Sequence, residues 1–194
     1  LRRFDALVVV SEEQIGRLAR AGVPRSRIRH IDNGIDCPTR DEAAAAALRM
    51  QLGLSADARV FSAIARLSSE KNLAMLLRSF APVAARHPDP VLLLVGDGPE
   101  RVELEGLART LELGERVRFL GMRHDMPAIH TLTDHLVLPS LTEGMPLVVL
   151  EAMACEVPVI ASAVGDIPRL LEHAAHGRTI PPGDAAALES ALEA

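Results

Sequence analysis

The sequence has very few aromatic side chains. It contains no Trp, no Tyr and four Phe among 194 residues. Aromatic side chains on which bases stack are a common device for binding nucleotides, so we expect any base-binding site here to use backbone and aliphatic groups. Apolar residues still make up 48% and charged residues 24% of the chain, which is ordinary globular usage and predicts a folded protein.

The charge balance argues against a surface that coats nucleic acid. The formal net charge is −5, whereas a nucleic-acid-binding domain presents a basic patch or stripe. We therefore expect no nucleic-acid partner, and a small anionic ligand would have to be held by a few local cations. The chain has one lysine, Lys71, beside twenty arginines, and its position is a starting point for finding those cations.

The sequence offers no disulfide framework and no membrane span. Its two cysteines, Cys37 and Cys155, are far apart, which is typical of reduced thiols in a cytoplasmic protein. The longest apolar runs, such as 91–95, are too short to cross a bilayer, and residues 1–20 lack the pattern of a signal peptide. We expect a cytoplasmic protein, with peripheral membrane association of the full-length protein left open. Because the sequence has no initiating Met, we also expect a piece of a longer chain.

Short β-rich runs alternate with helical patterns along the chain. The predicted strands are 6–10, 28–31, 59–65, 91–95, 117–120, 135–139, 157–161 and 178–180. The predicted helices are 12–21, 41–51, 73–84, 102–111, 126–132, 146–155, 167–173 and 184–194. Continuous Val, Leu and Ile runs that alternate with helices predict a Rossmann-like α/β fold with a doubly wound parallel sheet. We place a domain boundary between 1–36 and 37–194.

Two cations follow the predicted strand 59–65 at its carboxyl end. Arg66 comes directly after the strand, and Lys71 precedes Asn72, which has the residue type of a helix N-cap. In a doubly wound sheet, ligands bind beyond the carboxyl ends of strands, where the strand order reverses. A lysine meets a phosphate as a compact point charge, and an arginine forks onto its oxygens. The alternative is an ordinary pair of solvated loop cations near Glu70.

A second candidate segment, 143–151, follows the predicted strand 135–139 at the same edge. Pro146 suits the first position of a helix, where its missing N–H would have no partner, and the free amides of such a helix can receive a phosphate. Glu143 lies just outside this helix, and Glu151 interrupts an apolar run within it. A carboxylate accepts hydrogen bonds from a sugar diol. For Glu143, simple stabilisation by the helix dipole is the alternative.

Other chemical signals are weak. Gly96-Asp97-Gly98 follows a strand, but Arg101 occupies the third glycine position of a dinucleotide fingerprint, so we interpret the segment as a turn. His173 and His176 have helical spacing but no third ligand in register, which indicates structural or surface histidines and no metal site.

Four segments together resemble a known family. They are ARLSSEKN, GDGPERVELEGLARTLELGERVRFLG, LPSLTEGMPLVVLEAMACEVPVIAS and GRTIPPGD. From residue 28 to the end, the sequence is similar to the C-terminal, nucleotide-sugar-binding domain of retaining GT-B glycosyltransferases of the group-1, or family 4, type. Two glutamates separated by seven residues are typical of that family, and Glu143 and Glu151 match them.

The resemblance implies a role for each candidate residue. Arg66 and Lys71 would hold the diphosphate and stabilise its charge as it leaves, and Glu143 would bind the donor sugar. Glu151 would bind the ribose hydroxyls, the Leu147 amide the distal phosphate, and the backbone of 121–123 the base. The implied donor-binding set is Met122, Arg123, Gly144, Met145, Leu147 and Glu151.

The resemblance also implies a reaction and missing parts. The reaction would be transfer of a glycosyl unit, typically a hexosyl unit, from a nucleoside-diphosphate sugar with retention at the anomeric carbon and without a metal or cofactor. The acceptor is unidentified. Residues 1–36 would be a remnant of the acceptor-binding N-terminal domain and the hinge, so this chain alone would turn over poorly. The alternative is a Rossmann-like nucleotide-binding module that transfers nothing.

The sequence departs from the family pattern at three positions. Glu156 stands where glycine is common, and Asp166 and Arg169 stand where glycine and an acid are more usual. These departures touch turns near the expected site more than its core residues.

Overall fold

The computed structural model describes residues 4–172 and 176–194. Its strands are β1 (Leu7–Val9), β2 (Ile28–His30), β3 (Arg59–Ile64), β4 (Pro90–Val95), β5 (Val117–Gly121), β6 (His135–Leu138), β7 (Val159–Ser162) and β8 (Gly177–Ile180). Its α-helices are α1 (Glu12–Arg20), α2 (Glu42–Gln51), α3 (Leu73–Arg86), α4 (Arg101–Thr110), α5 (Met126–Leu132), α6 (Leu147–Ala154), α7 (Ile167–Leu170) and α8 (Ala185–Glu193). Over these described residues, no helix is both long and apolar enough to span a bilayer.

Six strands form one parallel sheet in the order β5-β4-β3-β6-β7-β8. From β3 the chain moves outward through β4 and β5, then returns to β6 and moves outward through β7 and β8 on the other side. The strand order therefore reverses between β3 and β6, where the loops that follow the two strands diverge and leave a crevice. This topology confirms the predicted doubly wound α/β fold.

Helices cover both faces of the sheet because its strands are apolar on both sides. All six residues of β4 are buried. Leu92 and Leu94 belong to the core that also contains residues of α3, α4 and α8, whereas Leu93 and Val95 belong to the core shared with α2 and α5. Full burial of one leucine side chain stabilises a fold by about 1.5–3 kcal/mol. The apolar residues of β4 therefore stabilise the packing of helices on both faces of the sheet.

The first two strands form a separate two-stranded parallel sheet that packs with α1. Its core is small and centres on Val9 and Ile28. This first unit contacts the large domain, for example where Asn33 Nδ2 donates to the Met145 carbonyl oxygen at 2.7 Å. The expected domain boundary after residue 36 falls between β2 and α2 and stays a prediction.

Most helices differ from the predicted ranges by one to three residues at an end, and two of these differences have a clear backbone cause. α6 begins at Leu147, one residue later than predicted, because Pro146 has an extended ψ of 124° and serves as the N-cap. α7 ends at Leu170 and does not extend to residue 173, because Leu171 leaves the helical region with φ −100° and ψ 21°. His173 of the predicted histidine pair lies outside the described residues.

Candidate functional site

The candidate site lies where β3 and β6 diverge. Arg66 and Lys71 follow β3, and Ser140 and Glu143 follow β6. Because the two strands are parallel neighbours, both loops leave the same edge of the sheet. The fold thus brings the predicted cation loop and the predicted carboxylate loop together at the reversal of strand order.

Lys71 and Glu143 form an ion pair between these loops. Lys71 Nζ lies 2.7 Å from Glu143 Oε1, and the Ser140 hydroxyl donates to the same oxygen at 2.7 Å. The Glu143 side chain is 8% exposed and that of Lys71 is 19% exposed, so water competes little with the pair. An ammonium has three donors, which leaves Lys71 two N–H groups for a ligand. No motif in the sequence points to Ser140.

A short, constrained segment positions the lysine. Lys71 ends the 3-10 turn Ser69–Lys71, and Asn72 follows in the left-handed conformation with φ 53° and ψ 38°. Asn72 occupies the predicted position before α3, but its side chain makes no capping hydrogen bond. The Leu141 N–H donates to the Glu70 carbonyl oxygen at 2.8 Å. This bond ties the loop after β3 to the loop after β6.

Glu70 adds a negative charge beside the two cations without taking Lys71 from Glu143. Its carboxylate accepts a hydrogen bond from the Ser68 hydroxyl at 2.6 Å. That hydrogen bond lowers the pKa of Glu70, and the charges of Arg66 and Lys71 lower it further. Glu70 is therefore ionised at neutral pH, and it balances part of the positive charge of the loop.

Two glycines let the loop after β4 press against the loop after β3. Gly96 has φ 127°, and a Cβ there would lie 2.0 Å from the Ala65 carbonyl oxygen. A Cβ on Gly98 would lie 2.3 Å from the Leu67 carbonyl oxygen. Only glycine allows such a close backbone approach. The segment is a tight turn, as predicted, and it supports the backbone that carries Arg66.

A cavity of about 470 Å³ opens beside Arg66 at the carboxyl ends of β3, β4 and β5. Met122 and Arg123 of the predicted base loop also line it, so the structure brings them to the same cavity as Arg66. The apolar walls come from Ile64, Val95, Met122 and Met126. These walls are aliphatic and contain no aromatic ring, in agreement with the composition of the chain.

The side chain of Arg123 is tied to its own loop. Its Nε donates to Asp125 Oδ1 at 2.9 Å and its Nη2 to Asp125 Oδ2 at 2.5 Å, which is a bidentate pair. This pairing lowers the pKa of Asp125 and raises that of Arg123. The arrangement agrees with a loop that would use its backbone to contact a base, which stays a prediction.

The beginning of α6 is held from two sides. The Met145 carbonyl oxygen accepts from Asn33 of the first unit, and the Gly144 carbonyl oxygen accepts from the Asp166 N–H at 2.9 Å. Leu147 is the first residue of α6 and its side chain is half-exposed. The first amides of an α-helix have no partner within the helix. Gly144, Met145 and Leu147 thus lie at a helix end that can receive an anion.

Glu151 lies inside α6 and faces a buried histidine of α5. Its Oε2 is 3.4 Å from Nε2 of His130. The Glu151 side chain is 33% exposed, whereas that of His130 is 0% exposed. Burial lowers the pKa of His130, and the neighbouring carboxylate opposes that shift. His130 is not among the residues predicted from the sequence, where its only signal is that it is a polar residue inside the buried helical pattern 126–132.

The three departures from the family pattern have structural counterparts. Glu156 has φ 59°, a conformation that favours glycine. Arg169 Nη2 pairs with Asp166 at 3.1 Å and with Asp32 at 2.7 Å, which links the large domain to the first unit. His30, Asp32 and Asp166 offer possible metal-ligand atoms within 4.8 Å of one another. Because Arg169 already binds both carboxylates, we assign no metal site to this cluster.

The chain is similar to known proteins over most of its length. A family model described as Glycosyl transferases group 1 matches residues 44–194. One relative is the GDP-mannose-dependent alpha-(1-6)-phosphatidylinositol monomannoside mannosyltransferase of Mycolicibacterium smegmatis, to which the chain is 32% identical over 199 residues. This alignment covers 97% of this chain and 52% of the relative. Another relative is the N-acetyl-alpha-D-glucosaminyl L-malate synthase of Bacillus anthracis, to which the chain is 30% identical over 184 residues. This alignment covers 95% of this chain and 48% of the relative. The chain thus spans about half the length of the curated relatives it matches.

Solved structures share the fold described above. The crystal structure of Anabaena HepE in complex with UDP and glucose aligns with a TM-score of 0.91 at 29% identity, over 99% of this chain and 53% of that one. The sucrose-phosphate synthase from Thermosynechococcus elongatus aligns with a TM-score of 0.81 at 32% identity, over 100% of this chain and 49% of that one. Both likenesses confirm the expected GT-B type of domain. The chain therefore belongs to the group 1 glycosyltransferase family.

Proposed function

We propose that the chain is the donor-binding domain of a retaining glycosyltransferase that takes a glycosyl unit from a nucleoside-diphosphate sugar. The observation that carries this proposal is the Lys71–Glu143 pair, which joins the loop after β3 to the loop that leads into α6 at the reversal of strand order. Cations, helix amides and carboxylates thus come from neighbouring loops at one sheet edge. HepE, whose structure is known in complex with UDP and glucose, supports this class of donor.

The proposed role of the cations follows from where charge develops. The bond from the anomeric carbon to the diphosphate oxygen breaks, and its electron pair moves to the diphosphate. The hydroxyl oxygen of the acceptor forms the new bond to the anomeric carbon, and its proton passes to the departing diphosphate. Arg66 and the two remaining N–H groups of Lys71 would bind the diphosphate, together with the Leu147 amide. Preorganised donors of this kind stabilise developing charge, so we propose that the transfer needs no metal.

The two glutamates would bind the hydroxyls of the donor. Lys71 and Ser140 both contact Oε1 of Glu143, so we propose that Oε2 of Glu143 accepts from the sugar. Glu151 would accept from the ribose hydroxyls. The backbone of 121–123 would contact the base at the wall of the 470 Å³ cavity.

The rest of the catalytic unit is also a proposal. We infer that residues 1–36 belong to an acceptor-binding N-terminal domain and its hinge, and that residues 37–194 form the nucleotide-sugar-binding domain. Both cysteines are free thiols, which supports a cytoplasmic location. The acceptor is not identified by any of these residues.

Calorimetric titration tests the donor site. UDP, GDP and ADP, with and without their sugars, are titrated into the chain, and at least one of the diphosphates is expected to bind. Failure of all three to bind would contradict the proposal. For the full-length protein, NMR of the product should show the anomeric configuration of the donor. Inversion would contradict retention, and binding without transfer to any acceptor tried would favour the non-catalytic module.

A further inference from the structure

We propose that His130 is a positioning residue whose Nε2–H holds the Glu151 carboxylate in the orientation that accepts the ribose hydroxyls of the donor. The inference rests on the proposed function, because it takes Glu151 as the ribose-binding group. It adds a residue from α5, an element that the candidate sequence segments did not include.

The position of His130 leaves its ring little freedom. Its side chain is 0% exposed, and its Nε2 lies 3.4 Å from Glu151 Oε2. Strong hydrogen bonds from a nitrogen to a carboxylate are shorter, at about 2.7–2.9 Å, so this contact is a weak one. A weak contact from a fixed ring orients a side chain without immobilising it strongly.

Burial also determines which ring nitrogen carries the proton. Among the described residues, His130 Nδ1 has no hydrogen-bond partner. A proton on Nδ1 would leave a buried donor unpaired and would turn the Nε2 lone pair towards a carboxylate. A proton on Nε2 avoids both costs. Burial lowers the pKa of His130, so near pH 7 the ring donates one N–H and adds no charge.

The helix that carries His130 is fixed to the sheet. The Thr133 hydroxyl, just beyond the end of α5, donates to the Ile129 carbonyl oxygen at 2.7 Å. Its oxygen also lies 2.7 Å from the Ser62 hydroxyl oxygen on β3. Both hydroxyl groups are buried. The imidazole is therefore presented from a rigid base, which a supporting residue for a binding group requires.

A neutral partner suits the role assigned to Glu151. The carboxylate is one-third exposed, and a free glutamate side chain in that position would populate several rotamers that binding must then restrict. A neutral N–H narrows this set but leaves the full negative charge available to hydroxyl donors. A cation in the same place would neutralise that charge.

Two variants of His130 separate positioning from packing. His130→Leu fills the buried space but removes the donor, and His130→Gln keeps an N–H donor close to the original Nε2. The ligands are whichever of UDP, GDP and ADP binds the wild-type chain most tightly, and the 2′,3′-dideoxy form of that diphosphate. Calorimetry gives Kd for each combination, and thermal unfolding confirms that both variants fold.

The expected result is selective for the ribose hydroxyls. His130→Leu should raise Kd for the ribose form by about three- to tenfold, as for loss of one weak hydrogen bond to a charged group, and should leave Kd for the dideoxy form unchanged. His130→Gln should restore most of the lost affinity.

Each other outcome counts against a different statement. An unchanged Kd for the ribose form in His130→Leu, or an equal loss for both ligand forms, overturns the positioning role alone. Equal Kd values for the two ligand forms in the wild type overturn the ribose role of Glu151 and the inference with it. Absence of binding by all three diphosphates overturns the proposed function itself.

Discussion

Glu143 and Glu151 sit in one short segment but have opposite kinds of partner. Glu143 is nearly buried, and one of its oxygens contacts both the Lys71 ammonium and the Ser140 hydroxyl. Glu151 is one-third exposed and faces the neutral, buried imidazole of His130. The charge of Glu143 is balanced inside the protein, whereas that of Glu151 is partly solvated and has no cation in contact among the described residues.

The difference predicts that the partners of Glu143 stabilise the fold, whereas the partner of Glu151 orients its carboxylate. Removing the partner of a buried charge leaves that charge without water or a counter-ion, which is costly. Removing a neutral partner from a partly solvated carboxylate costs less, because water can replace the lost hydrogen bond. We therefore expect changes around Glu143 to affect folding and binding together, and changes around Glu151 to affect mainly the ligand.

Lys71→Ala should have the largest effect on stability. It leaves the Glu143 side chain, which is 8% exposed, without its counter-ion, so we expect the free energy of unfolding to fall by about 2–4 kcal/mol. Urea denaturation followed by circular dichroism measures the change. Arg109→Ala, which removes an exposed cation at the last turn of α4, is the control and should change stability by less than about 0.5 kcal/mol. A Lys71→Ala loss as small as that of the control would show that the pair is not buried in solution.

Glu151→Ala should weaken binding of a nucleoside diphosphate by about tenfold, because hydrogen bonds from the ribose hydroxyls to a charged group are lost. Its unfolding free energy should fall by about 1 kcal/mol, because the buried Nε2–H of His130 loses its acceptor. Calorimetric Kd values are compared with those of Glu103→Ala, an exposed glutamate of α4, which should bind like the wild type. If Glu151→Ala also binds like the wild type, Glu151 is only a partner of His130.

His130→Leu should reduce the dependence of stability on pH. The pKa of a histidine in the unfolded chain is about 6.5, and burial lowers the pKa of His130 in the folded protein. Between these two values the unfolded chain binds more protons, so the unfolding free energy falls as pH falls, by up to about 1.4 kcal/mol per pH unit. We expect the loss of stability between pH 7.5 and 5.5 to shrink by roughly 1 kcal/mol in the variant. An identical loss in both proteins would mean that His130 is not buried as a neutral ring. His135, whose pKa is also lowered mainly by burial, accounts for a residual slope.

Glu156→Gly should have the smallest effect. Glu156 has φ 59°, which costs a residue with a Cβ about 1–2 kcal/mol relative to its right-handed conformation. The greater backbone entropy of unfolded glycine offsets about 0.5–1 kcal/mol of that. We expect a net gain in unfolding free energy of roughly 0.5 kcal/mol, measured by urea denaturation. A loss of stability would indicate that the Glu156 side chain makes a contact that matters more than its backbone strain.

Much of the fold and part of the site could be predicted from the sequence. Alternating apolar runs and helical patterns predicted the parallel sheet, since strands such as β4 are buried on both faces. Because the carboxyl ends of β3 and β6 meet at one edge, the two candidate loops could be placed together. The predicted end of α7 was wrong. Leu171 leaves the helical region, and a leucine gives no sequence signal that a helix ends there.

The partners of the two glutamates could not be predicted. Lys71 and Glu143 are 72 residues apart and His130 and Glu151 are 21 apart, so no local spacing connects them. His130 lies in a helix whose pattern is otherwise that of a buried element, and a single buried histidine carries no periodic signal. Ser140 and Glu143 are only three residues apart, but the hydrogen bond between them depends on the turn that the loop after β6 adopts.

The most direct measurement of the central claim is a calorimetric titration of wild-type, Lys71→Ala and Arg109→Ala chains with UDP, GDP and ADP. If Lys71 holds the diphosphate, the Lys71→Ala chain should bind the preferred diphosphate at least about tenfold more weakly than the wild type, as expected for loss of a charged hydrogen bond. The Arg109→Ala chain should match the wild type. Equal Kd values for wild-type and folded Lys71→Ala chains would contradict the assignment of the diphosphate site to the edge between β3 and β6.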